Sequence, residues 1–80
     1  MTQALYLVTT KRGEGLMTFN NERASKFAAS NRGKMFEFRT WAHMKFIMGN
    51  NLSDEQIETL YNERSLIFDC SSTGFHEYFS

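Results

Sequence analysis

The 80-residue sequence predicts an α+β fold, a single domain over residues 1–80 with an antiparallel sheet, helices packed on one face and the element order ββαβααββ. Three observations carry that reading. Within the stretch from Gly33 to Gly49, GKMFEFRTWAHMKFIMG, the hydrophobic period changes from two to about three and a half, as expected where a strand runs directly into a helix. The segment LSDEQIETLYNER opens with Ser53 as N-cap and Gln56 three residues on, a capping box, with Leu52 placed to staple against Ile57. The rest alternates short β-rich runs with glycine-bearing turns, and the absence of proline leaves no linker.

Ala4 to Thr10 is apolar on both faces, Leu5 and Leu7 on one side and Tyr6 and Val8 on the other, the pattern of a central strand. KRGEG follows and Leu16 to Phe19 alternates again, so the first two strands form a hairpin whose tip carries Lys11, Arg12 and Glu14. The loop lacks the Gly-Lys-Ser/Thr ending of a phosphate-binding P-loop and leads into a strand, which makes it ordinary hairpin chemistry. Asn20 and Asn21 are good N-caps for a short helix with Ala24, Phe27 and Ala28 inward and Arg23, Lys26, Ser30 and Arg32 outward, ended by Asn31 to Gly33.

In the third strand Phe36 and Phe38 share one face, opposite Met35, Glu37 and Arg39. Thr40 caps the next helix, whose expected buried stripe is Trp41, Met44, Ile47 and Met48, closed by Gly49 just past its end. His43 has no second ligand at helical spacing and reads as a surface histidine. In the last helix Ile57, Leu60 and Tyr61 face inward, while Asp54 and Glu55 sit at the positive end of the dipole. A strand over Leu66 to Cys70, a turn at SSTG and an aromatic strand FHEYF close the chain as a second hairpin.

With 41% hydrophobic and 22% charged residues, the composition fits one small globular domain. The single cysteine, Cys70, excludes an internal disulfide and any zinc site built on cysteine pairs. No apolar run approaches the ~18–20 residues of a membrane span, and the opening MTQALYLVTTKRGEG lacks the pattern of a secretory signal, so no membrane association and a cytoplasmic location are expected. The net charge of zero is a cancellation: residues 1–52 carry eight basic and three acidic side chains, net +5, and residues 53–80 one basic and six acidic, net −5. No catalytic set emerges. Asp69, Cys70 and His76 have no evident orienting group, and no carboxylate pair is set for acid–base work, so the expectation is a non-enzyme with neither cofactor nor metal.

The order of the first five elements resembles that of the viroplasmin-like hybrid-binding domain found at the start of some ribonucleases H. LYLV is similar to that family's first strand, GEGLMTF to its second and GKMFEFRT to its third, over about residues 5–48. The chain departs from the family in lacking its early first-helix tryptophan, with Asn21 to Arg23 near that place, and in having Glu37 where a basic residue is expected. No residue role is therefore carried over.

Two kinds of function fit. The first is a small protein-binding module, of the sort phages and mobile elements use to bind and inhibit or modulate a host protein. Its contact residues would be Arg39, Tyr61, Tyr78 and Phe79, with Glu55 and Glu58 steering a basic partner. The alternative is nucleic-acid binding by the basic half, with Lys11, Arg12, Lys34 and Arg39 on phosphates and Phe36 or Phe38 stacking on bases. The aromatic last strand also suits pairing with a second copy, a homodimer.

Overall fold

The computed structural model describes residues 3–69, which form a four-stranded antiparallel sheet and three helices. The elements are β1 (Leu5–Thr9), β2 (Glu14–Thr18), α1 (Asn21–Asn31), β3 (Lys34–Phe38), α2 (Trp41–Asn51), α3 (Asp54–Glu63) and β4 (Ser65–Asp69). The α+β class and the order of these seven elements are those the sequence predicts. The expected eighth element, the strand FHEYF, lies outside the described residues together with Cys70, Tyr78 and Phe79.

The strands lie in the order β3-β1-β2-β4. Leu7 stands opposite Met17 on β2 and Phe36 on β3, and Met17 in turn faces Leu66 on β4. This register aligns Leu5, Leu7, Met17, Phe36, Phe38, Leu66 and Phe68 on one face. The opposite face carries Tyr6, Val8, Leu16, Thr18, Met35, Glu37 and Ile67.

Both faces are covered, which corrects the expectation that all three helices share one. Met44, Ile47, Met48 and Leu52 from α2 and its C-cap, with Leu60 from α3, join Leu5, Leu7, Met17 and Phe68 in the main core. Ala24 of α1, flanked by Phe27 and Ala28, packs instead on Val8 and Leu16. The connectivity explains the division. From β2 the chain crosses β1 to reach β3 by way of α1, and from β3 it crosses back over β1 and β2 to β4 by way of α2 and α3, each crossing on its own face. The two central strands are consequently sealed on both sides, and Leu5, Leu7, Val8, Leu16 and Met17 have no exposed surface. Each such side chain contributes roughly 1.5–3 kcal/mol by leaving water.

The ends of the helices are specified locally. Asn20, Thr40 and Ser53 each accept a backbone N–H from three residues ahead, and Gln56 returns the bond to Ser53. Arg32 and Arg64 close α1 and α3 in the left-handed conformation, with φ of 52° and 66°. Gly49 does not end α2, which runs on to Asn51 and stops at an extended Leu52.

Candidate functional site

Among the described residues, the most exposed large apolar side chains are on α2. Trp41 is 60% and Phe46 65% exposed, whereas Met44, Ile47 and Met48 on the same helix are buried. At about 100° per residue, Trp41 and Phe46 bracket an outward arc that holds Ala42, Lys45 and Gly49, all exposed. A Cβ placed on Gly49 would meet nothing within 4 Å, so the floor of that arc is open. Lys45 is its one charged residue; no carboxylate lies anywhere on α2.

Trp41 was expected in the buried stripe. It sits instead at the first position of the helix, on the flank of an inward arc already filled by Met44, Ile47 and Met48 over the half-buried rings of Phe36 and Phe38. The sequence held a signal for this. Six of the eight residues from 41 to 48 are apolar, more than one face of a helix can bury.

The other residues expected to make contacts are distributed differently. Arg39 Nε donates to Glu37 Oε1 at 2.9 Å on the outer part of β3 and just beyond it, so its charge is already balanced. That hydrogen bond, opposed by some desolvation and helped by Tyr6, holds the Glu37 carboxyl below its ordinary value and raises the Arg39 guanidinium. Glu55 and Glu58 are exposed on α3. Tyr61, on the same helix, leans on Phe19 with ring centres 5.5 Å apart and remains 39% exposed. Tyr78 and Phe79 lie outside the described residues. Phe36 and Phe38 pack against the main core under α2 and α3, so their faces are committed to folding rather than to stacking on bases.

A second concentration of side chains lies at the end of the sheet where β1 meets the hairpin turn. A recess of about 450 Å³ is lined by Lys11 and Arg12 from that turn and by Ser30, Asn31 and Arg32 from the end of α1. Lys34 is adjacent, since it pairs with Thr9 in the β1–β3 ladder. Gly33 draws the two segments together. Its backbone lies so close to Thr9 and Val8 that an added Cβ would come within 2.7 Å of the Thr9 carbonyl oxygen. Lys11 and Arg12 were read as candidate phosphate contacts, but Arg32 was placed on a solvated helix face; only the three-dimensional path of α1 brings it to them.

Among the described residues no group of three or more His, Cys, Asp or Glu side chains is placed to hold a metal ion, and no helix is long and apolar enough to cross a membrane. Comparison of the chain with protein-family models, curated proteins and solved structures gives no match. The resemblance to the hybrid-binding domain rests on element order and three short strand segments alone.

Proposed function

We infer that the protein is a small protein-binding module that docks its partner on the outward side of α2. The observation that carries this reading is the exposure of Trp41 and Phe46 on a helix whose other side is core. A surface helix ordinarily turns polar residues to solvent, and exposed apolar surface of this kind marks interaction sites. Tryptophan is also among the residues most enriched at the energetic centres of protein contacts.

The chemistry of the arc describes the partner. Between the two rings lie only Ala42, Gly49 and Lys45, small residues that admit close approach and one cation that no carboxylate on the helix balances. An apolar segment carrying a carboxylate is the complementary surface. A module of this size acts by occupying a partner's surface, consistent with a role in modulating or inhibiting a host protein, and needs no catalytic group.

The test is a parallel capture with the tagged wild-type protein and the variant W41S/F46S, each with and without nuclease, followed by titration of the recovered partner against Trp41 emission. The expected result is a stoichiometric protein that survives nuclease, shifts Trp41 emission to the blue and binds the double variant about thirtyfold or more weakly. Equal binding by the double variant would refute the placement on α2. Loss of all captured proteins on nuclease treatment would refute the protein-binding reading itself.

A further inference from the structure

Arg32 and Arg64 occupy equivalent positions, each closing a helix in the left-handed conformation that glycine adopts at least cost. An arginine there carries a steric cost that glycine avoids. For Arg64 the side chain has an evident use, because its guanidinium lies over the Phe19 ring, 4.6 Å from the centroid. Arg32 forms no ion pair, side-chain hydrogen bond or ring contact with any described residue. It lines the recess instead, beside Lys11 and Arg12, which are likewise without such partners among the described residues.

We propose that the recess formed by Lys11, Arg12, Ser30, Asn31 and Arg32 is a binding site for a free, multiply charged phosphate anion such as a diphosphate. Three cations line it from two segments and no carboxylate is among its described lining residues, which favours an anion there; Glu14 and Asp69 flank Arg12 in a neighbouring recess. Two guanidinium groups offer the forked donors that suit phosphate oxygens, and Lys11 adds a point charge. Ser30 adds a hydroxyl to the lining, while one N–H of the Asn31 amide already donates to the Phe27 carbonyl at 2.9 Å. No aromatic ring is among the described lining residues, which argues for the phosphate group itself rather than for a base stacked beside it. The recess is also held in shape. Gly33 locks the end of α1 against β1, and across the turn the Gly13 N–H donates to the Thr10 carbonyl at 3.1 Å while the Thr10 hydroxyl donates to the Glu14 carbonyl at 2.8 Å. The cations are therefore presented by fixed backbone, which lowers the ordering cost of binding.

The experiment is a titration of the uniformly ¹⁵N-labelled protein with inorganic pyrophosphate, followed by amide chemical shifts, against sodium chloride of matched ionic strength. A second arm uses a ten-residue oligothymidylate. The expected result is saturable shifts confined to residues 10–14 and 29–34, absent from the chloride control. The variant R32G removes the cation while relieving the left-handed backbone, so it keeps the fold, and it should bind pyrophosphate about tenfold more weakly. Shifts spread evenly over all exposed lysines and arginines, no saturation, or unchanged affinity in R32G would each overturn the proposal. Oligothymidylate that saturates these same residues and is not displaced by pyrophosphate would overturn it in favour of a polynucleotide.

Discussion

Arg64 is joined to Phe19 twice: its carbonyl oxygen accepts the Phe19 N–H at 3.2 Å, and its guanidinium carbon sits 4.6 Å from the centre of the Phe19 ring. The same carbonyl accepts the Thr18 hydroxyl at 3.1 Å, and Tyr61 packs against the ring. One residue thereby ties the exit of β2 to the turn between α3 and β4. Replacing Arg64 by alanine keeps the left-handed backbone cost and loses the cation–π contact, so R64A should lower stability by about 1 kcal/mol. In R64G the conformational relief offsets the lost contact, and the urea midpoint should stay close to wild type. A midpoint for R64A indistinguishable from wild type would show that the ring contact contributes nothing.

The two glycines flanking the strand–helix unit should respond oppositely to alanine. At Gly33 the added methyl meets the Thr9 carbonyl and Val8 Cγ1 at 2.7 and 2.8 Å, and a backbone atom in the sheet cannot yield as a side chain would. G33A should cost about 2 kcal/mol or more. Gly49 lies inside α2 facing open space, where alanine is the better helix former, and G49A should gain about 0.5–1 kcal/mol. Chemical denaturation of the pair measures both signs.

Trp41 and Phe46 should prove dispensable for folding. W41S and F46S are expected to remain within about 0.5 kcal/mol of wild type, whereas L60A, at a fully buried position, should lose about 3 kcal/mol. The lone tryptophan should show water-exposed emission that acrylamide quenches readily in the native state. Shielded emission in the isolated protein would mean that α2 is already covered.

The Glu37 carboxyl should titrate below the ordinary glutamate range in a carbon-detected pH series, because the Arg39 guanidinium stabilises its charged form. Its pKa is depressed on folding. The associated stability is therefore present above the unfolded-state value and is lost as pH falls through the lower folded value. R39Q should return the carboxyl toward its ordinary range. Since both groups are exposed, the effect on overall stability is expected to be slight.

Element positions were legible because they rest on local chemistry. Ser53 with Gln56 announces α3 within four residues, and Leu5, Leu7, Tyr6 and Val8 already mark β1 as a strand covered twice over. The side of the sheet on which α1 lies was not legible, because it depends on the crossing from β2 to β3 and no residue of α1 encodes that path by itself. The burial of Trp41 was misread for a different reason: a helix with six apolar residues in eight positions does not define one inward stripe. Lys11 and Arg12 were recognisable at a hairpin tip. Their association with Arg32 depends on Gly33 lying against Thr9, a contact between segments more than twenty residues apart.

Because α2 reaches the core through Met44, Ile47 and Met48, its outward positions are free to diverge without eroding the fold. Under the proposed docking role, substitutions at 41, 42, 45, 46 and 49 would change what the surface recognises and leave the packing unaltered, so a lineage carrying this domain could exchange one target for another in a few steps. Gly49 is where the two demands touch. An alanine there would strengthen the helix but fill the floor between the rings, so under the same docking role a population selected for hardiness alone would drift toward a narrower range of targets.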